Sequence, residues 1–376
     1  MKKVHMKRVS LTLLVVLMLT FAAIPMAFAI TPSPSLTVNV SPSSGTVPQT
    51  VQVYGHGASP CGDVEIWWDA DGQGSALDVL LGVVEANRWG RYEICVTIPE
   101  AFCGAHDITA WDKASGHSAG TKFTVKPQIT LDPYSGPVGT EVTVEGTGFK
   151  RNVQIDIYYD GKLITTNPAA VITNGVGSFS ASFIVPESVY GSHTVKATDR
   201  YGPPCWDEDT FFVEPKIVLD PTQGPCGTKV TITGTGFDGC NYVDISFTCC
   251  LGKTWWFTKK NETNEKGSFT YVFTIPCTLE DGDGCCNVCP GPWWIDARTT
   301  YAWTEEEFIV TPWFTITPLK GPVGTEVTAS GYGFDAESVN IVFMTFPKDI
   351  IVAEDVPTDE MGNFVTTFEV PEVVEG

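Results

Sequence analysis

Histidine is scarce in this 376-residue chain: there are five, and only His56, His106, His117 and His193 lie beyond the first thirty residues. None stands in a Ser/His/Asp, Cys/His or His-Glu-x-x-His arrangement, and no glycine-rich loop precedes a helical pattern. Catalysis by an activated nucleophile or by a general acid–base pair therefore has no residues to carry it, and a non-enzymatic chain is expected. Basic residues are also few. The 23 Lys and Arg against 44 Asp and Glu give a formal charge of −21, and so acidic a surface repels nucleic acid and anionic membranes. Long amphipathic helical periodicity is missing. So is any apolar run after residue 29 approaching the ~20 residues that span a bilayer, so membrane attachment requires an anchor outside this sequence.

At the start, Lys2, Lys3, Lys7 and Arg8 precede an apolar run from Leu11 to Ile24 and the small-residue pattern Ala27-Phe28-Ala29. That layout is a secretory signal peptide cut after Ala29. Its removal takes four basic residues and moves the formal charge from −21 to −25. The expected location is outside the cell, secreted or on its surface. What is abundant is glycine (36), proline (26) and, in the apolar segments, β-branched and aromatic residues. This is the composition of an all-β protein with many turns.

Internal repetition decides the architecture. The stretch Ile129-Thr-Leu-Asp-Pro-Tyr-Ser-Gly-Pro-Val-Gly-Thr-Glu-Val-Thr-Val-Glu-Gly-Thr-Gly-Phe149 returns at 217–237 and 314–334, with a divergent copy near Leu36. The opening prolines Pro42, Pro133, Pro221 and Pro318 are 91, 88 and 97 residues apart. In the second to fourth copies a Gly-Pro-x-Gly-Thr turn is followed by alternation, for example Val142, Val144 and Gly146 on one face and Thr143 and Glu145 on the other. A second alternating run follows: Val64, Ile66, Trp68; Val153, Ile155, Ile157; Val243, Ile245, Phe247; Val339, Ile341, Phe343. A glycine two residues before an aromatic then opens a strand that ends at proline, as in Gly177-Ser178-Phe179 to Pro186. About seven strands per copy is the number of an immunoglobulin-like sandwich.

The run "P..GPVGT.VTV.GTGF" resembles the opening of the IPT/TIG immunoglobulin-like repeats. The resemblance is strongest in the second to fourth copies; the first departs from it with Gly45-Thr46-Val47-Pro48 in place of the Gly-Pro-Val-Gly turn. It implies tandem immunoglobulin-like β-sandwiches of the kind found in cell-surface receptors, adhesins, surface-layer-like proteins and spacers beside extracellular catalytic domains. The division is a signal peptide 1–29, a leader 30–35, and repeats 36–127, 128–215, 216–312 and 313–376. Single prolines (Pro127, Pro215, Pro312) join one repeat to the next, which predicts a semi-rigid rod. The fourth repeat stops at Gly376, the counterpart of Gly191, before its last two strands, so a longer protein or a donated strand is expected to complete it.

Twelve cysteines in an exported chain read as disulfides. Eight lie in the third repeat, and strand tracing places Cys226, Cys249, Cys250, Cys277, Cys285, Cys286 and Cys289 at one end of that sandwich as a stapled loop cluster, with the pairing left open. The C-x-x-C at 286–289 has no histidine in its repeat to complete a zinc site. The acidic turns Asp69-Ala70-Asp71-Gly72 and Glu280-Asp281-Gly282-Asp283 invite calcium, but neither completes a calcium loop. No metal or other cofactor is called for.

The sharpest candidate for binding is aromatic. Strand parity turns Trp67 and Trp111 outward on neighbouring strands of the first repeat, with Glu65, Asp69 and Asp107 around them. Flat rings beside carboxylates suit sugars, which stack on the rings and donate hydroxyl protons to the acids. Three readings follow. The first is a structural or adhesive surface stalk whose partner is a cell-surface or matrix protein or a polysaccharide. The second is a glycan-binding protein using Trp67, Trp111 and Asp69. The third is the accessory arm of an extracellular enzyme.

Overall fold

In all four repeats the opening proline follows a cis peptide bond, at Ser41-Pro42, Asp132-Pro133, Asp220-Pro221 and Thr317-Pro318. In the first three repeats the first strand there leaves one sheet for the other. In the second repeat Gln128–Asp132 pairs antiparallel with Glu141–Thr147, and beyond the proline Ser135–Pro137 lies parallel to Trp206–Glu214. The computed structural model describes residues 35–69, 79–200, 204–249 and 254–372, apart from 277, 282, 283, 288, 289, 335, 347 and 361. The signal peptide and most of the leader lie outside these residues. Every element among the described residues is a strand, and they fall into two compact units, 35–99 with 105–124 and 100–104 with 125–372.

The first unit is one two-layer sandwich. A three-stranded sheet orders Asn39–Ser41, Gln49–Gly55 and Tyr92–Ile98; a five-stranded sheet orders Ser44–Gly45, Ser118–Val125, Gly104–Asp112, Asp63–Trp68 and Val79–Glu85. The second unit repeats that plan. Its next sandwich sets Gln128–Asp132, Glu141–Thr147 and Phe179–Ile184 against Ser135–Pro137, Trp206–Glu214, Gly191–Asp199, Gln154–Tyr159 and Lys162–Leu163. The following one sets Lys216–Asp220, Lys229–Thr235 and Phe269–Thr274 against Gln223–Gly224, Trp303–Val310, Gly291–Arg298, Tyr242–Cys249 and Thr254–Glu262. The last has the three-stranded sheet Trp313–Thr317, Glu326–Tyr332 and Phe364–Glu369 beside a two-stranded ladder, Ser338–Phe343 with Ile350–Pro357. These sheet orders define an all-β chain of tandem immunoglobulin-like sandwiches.

Alternation explains why these sequences make half-buried strands. Val142, Val144 and Gly146 point inward along Glu141–Thr147, as do Ile155, Ile157 and Tyr159 along Gln154–Tyr159. The inward glycine has a packing reason. A Cβ on Gly146 would lie 2.1 Å from Cε1 of Phe179, and the counterparts Gly234 and Gly331 meet Phe269 and Phe364 at 2.1 and 2.0 Å. Each of those rings packs on the phenylalanine that closes the Gly-Thr-Gly-Phe or Gly-Tyr-Gly-Phe run: Phe149 with Phe179, Phe237 with Phe269 and Phe334 with Phe364, at 5.2, 5.3 and 5.5 Å between centroids. In the divergent first repeat a tyrosine takes the ring's place. Tyr92 lies over Gly55 and donates its hydroxyl proton to the Thr37 carbonyl at 2.5 Å; burial pushes this phenol's pKa well above its ordinary value.

Turn chemistry recurs with the same fidelity. Gly139 adopts φ +89° in the Gly-Pro-Val-Gly-Thr turn, which Thr140 closes by donating both its amide and its hydroxyl to the Pro137 carbonyl, at 3.1 and 2.7 Å. Before each aromatic-opened strand an Asn or Asp side chain caps a tight turn. Asn174 accepts from the amides of Val176 and Ser178, Asn87 from Trp89 and Arg91, and Asn264 from Lys266 and Ser268. Asp359 accepts from the Asn363 amide. In the first unit Asp112, buried at the end of its strand, takes four donors: the Ser59 amide and hydroxyl at 2.8 and 2.7 Å, the Ser115 hydroxyl at 2.7 Å and the Ala114 amide at 3.1 Å. Burial alone would raise this carboxyl's pKa, but the donors outweigh it and hold the group at about 2.

Candidate functional site

In the first unit Asp63–Trp68 pairs antiparallel with Gly104–Asp112, setting Glu65 opposite Trp111 and Trp67 opposite Thr109. Trp67 and Trp111 thus share the outer face of the five-stranded sheet as diagonal neighbours, each half-buried, while Trp68 fills the core. Glu65 sits between them. It accepts from the Trp67 indole at 3.1 Å and pairs with Lys113 at 3.2 Å, which fixes the ring and neutralises the acid. Asp107 is engaged by Lys122 at 2.9 Å.

Asp69 does not join this face. Strand parity would turn it outward with Glu65 and Trp67, but the strand ends at Trp68 and the chain turns in. Asp69 is 2% exposed, its amide donating to the Asp107 carbonyl at 3.0 Å and its carbonyl 2.9 Å from Nδ1 of His106. His106 in turn stacks on Trp68, 4.8 Å between centroids. Its counterpart in the next repeat, His193, lies 5.2 Å from Tyr159 in the same stacked geometry and 2.6 Å from Asp160. Both histidines are packing residues of the sheet. The remainder of the first acidic turn, 70–72, lies outside the described residues, as do 282–283 and the side chains of Glu280 and Asp281 in the second. No group of three or more metal-ligating side chains occurs among the described residues.

For the cysteines, Cys226 is disulfide-bonded, while the side chains of Cys249, Cys250, Cys277, Cys285, Cys286 and Cys289 lie outside the described residues. Backbone pairing sets Cys285 opposite Glu280 and Cys286 opposite Leu279 in a hairpin. A further disulfide, Cys103–Cys205, joins positions 102 residues apart with Cα atoms 6.6 Å apart. The spacing rule that gathers the third repeat's cysteines gives no hint of it. Cys61, Cys95 and Cys240 are free and exposed.

Cys103 belongs to the segment 100–104, which packs with the second unit. Its amide donates to the Phe149 carbonyl at 3.0 Å, Glu100 accepts from the Ser178 hydroxyl at 2.9 Å, and the Arg151 guanidinium covers the Phe102 ring at 4.6 Å. The same device appears one repeat later. The Tyr190 amide donates to the Phe237 carbonyl at 3.0 Å, and Glu187 accepts from Ser268 at 2.6 Å, Lys266 at 3.2 Å and Asn264 at 3.4 Å. The Ser268 and Lys266 bonds hold the Glu187 pKa below the ordinary carboxylate value. Within the second unit, Pro186-Glu187 after the aromatic-opened strand thus reaches the Asn-capped turn and the Gly-Thr-Gly-Phe corner of the repeat that follows.

No protein-family profile and no curated protein matches this chain. Among solved structures, a tetra-tandem repeat from the extending region of a large adhesion protein aligns with 89% of this chain and 90% of its own, at 16% identity and a TM-score of 0.24. Invasin, a bacterial integrin-binding protein, aligns over 90% and 74% at 11% identity and 0.25. The first four domains of the ICAM-5 ectodomain align over 89% and 98% at 9% identity and 0.22. The fold assignment rests on the sheet orders above.

Proposed function

We propose that this chain is a non-enzymatic extracellular surface protein whose repeats act as a semi-rigid adhesive or structural stalk. The observation that carries the proposal is the docking of Glu187 and the Tyr190 amide onto the repeat that follows, inside the second unit. These carboxylate and backbone contacts restrict the hinge that the single proline Pro215 would otherwise leave between those two sandwiches. The long disulfide and the acidic surface suit an oxidising, salt-exposed exterior. The test is to label intact source cells with antibody to the chain and to record small-angle scattering from the purified protein. Surface labelling together with a rod-like profile that Glu187→Ala makes more flexible is expected; intracellular label or a flexible-chain profile in the parent protein overturns the reading.

A second reading, glycan binding by the first repeat, is favoured by one observation: Trp67 and Trp111 lie on one outer face with their rings partly open. Trp67→Ala with glycan retention unchanged removes it.

A further inference from the structure

The third repeat carries two tryptophan pairs, Trp255-Trp256 and Trp293-Trp294, each in a strand. Alternation sends one member of each pair inward. Trp293 is buried and stacks on Phe247 at 4.3 Å, and Trp255 packs against the same core. The partners Trp256 and Trp294 therefore face outward, Trp256 with 48% of its surface open.

Register fixes what lies between them. Ser246 stands opposite Trp256 on one side and Asp296 on the other; Thr248 stands opposite Thr254 and Trp294. The two rings are thus diagonal across the strand Tyr242–Cys249, about 12 Å apart from the ordinary strand spacing and rise, with hydroxyls and a carboxylate between them. The Ser246 and Thr248 hydroxyls both donate to Oδ2 of Asp296, at 3.0 and 3.1 Å, while Oδ1 receives no bond from the described residues. A cleft of about 390 Å³ runs over this strip, with Arg298 and Glu305 at its margin.

The second repeat shows what the same face looks like when closed. There Asp156 is held by Arg200 through two bonds of 2.7 Å, and the Lys196 ammonium caps Trp206 at 4.1 Å. By register Asp296 takes the place of Thr198, Trp294 that of Lys196 and Thr248 that of Tyr158. The third repeat thus has an aromatic ring where the second has the Lys196 cation, and its carboxylate stands across the strand pair from the place of Asp156, bonded to hydroxyls, with Arg298, the counterpart of Arg200, lining the cleft.

We propose that this outer face of the third repeat binds a neutral oligosaccharide chain, its pyranose faces stacking on Trp256 and Trp294 and its hydroxyls donating to Asp296. Ring faces flanking a hydrogen-bonding strip match the alternation of apolar faces and equatorial hydroxyls along a sugar chain. The separation of the rings demands a chain of several sugars. The chain's formal charge of −21 disfavours an anionic polymer. The site stands independently of Trp67 and Trp111.

The experiment runs the full chain in affinity gels containing dextran, mannan or mixed-linkage β-glucan, and over a glycoprotein before and after enzymatic deglycosylation. Retardation by at least one polysaccharide is expected. It should weaken by about tenfold or more in Trp294→Ala and in Trp256→Ala, as for truncated aromatic anchors, and remain largely intact in Trp294→Phe. Near-ultraviolet circular dichroism of each variant confirms that the repeat is folded. No retardation by any of the polysaccharides, retardation that survives the double variant Trp256→Ala/Trp294→Ala, or capture of the glycoprotein that survives deglycosylation overturns the proposal, the last because a protein surface would then be the ligand.

Discussion

Replacing Gly146 by alanine adds one methyl group to a strand whose backbone accepts any residue, so propensity alone gives no reason for harm. The harm comes from the ring above it: the new Cβ would lie 2.1 Å from Cε1 and 2.5 Å from Cζ of Phe179. Phe179 is itself held edge-on against Phe149. Overpacking of a well-filled core costs about 1–3 kcal/mol. Alanine also restricts the unfolded chain, which stabilises by about 0.4–1 kcal/mol. The mid-values leave a net cost of about 1.3 kcal/mol, or about 9-fold in the opening equilibrium, with about 2.6 kcal/mol as the upper end. Hydrogen exchange by mass spectrometry on the full chain reads this locally, through peptides covering Glu141–Thr147 and Phe179–Ile184. Gly175→Ala is the internal control: nothing lies within 4 Å of its added Cβ and its φ is outside the left-handed range, so exchange should slow by about 2- to 5-fold. Phe179→Leu in the Gly146→Ala background should recover part of the loss, with a coupling of about 0.5–3 kcal/mol. Parent-like exchange in Gly146→Ala, or strict additivity in the double variant, would refute the ring-on-glycine account in every repeat that has it.

Two further outcomes follow from the first unit and the long disulfide. Asp112→Asn should cost about 2 kcal/mol near neutral pH, because a carboxyl held at about 2 in the folded state against 3.8 ordinarily contributes stability above its unfolded pKa. That contribution fades as pH falls from about 4 toward 2, so the parent's urea midpoint should drop there and the variant's should stay flatter; parallel curves would remove the linkage. Cys103→Ser with Cys205→Ser should destabilise by about 2–4 kcal/mol and raise exchange in 100–104 to open-loop rates, and reductant on the parent chain should reproduce both effects.

Much of this fold is legible because each repeat states its rules in the same words: parity in Glu141–Thr147 and Gln154–Tyr159 is visible in the text, and so is the turn at Gly139. The inward face of Gly146 is legible too, but its cause is not, since the ring that requires glycine comes from a strand 33 residues later. Asp69 is misplaced by parity because alternation holds only while the strand lasts. Cys103 and Cys205 escape a reading that pairs cysteines within a repeat, because they sit on segments that the text assigns to different copies. Trp256 and Trp294 carry the same signal as Trp67, one of two adjacent tryptophans in a strand, and need only the register across Tyr242–Cys249 to be seen as a pair.

The Cys103–Cys205 bond also sets how far the protein can be drawn out. It closes a ring that encloses everything from residue 104 to 204, including seven strands of the second repeat from Gln128–Asp132 to Phe179–Ile184 and the strand Gly191–Asp199 beyond them. Tension applied at the two ends of the chain passes through the sulfurs instead of along those residues. Roughly 340–370 Å of contour length is thereby withheld from extension. A single peptide-bond cut inside the ring likewise releases no fragment, and chains nicked there by proteases stay whole until they are reduced.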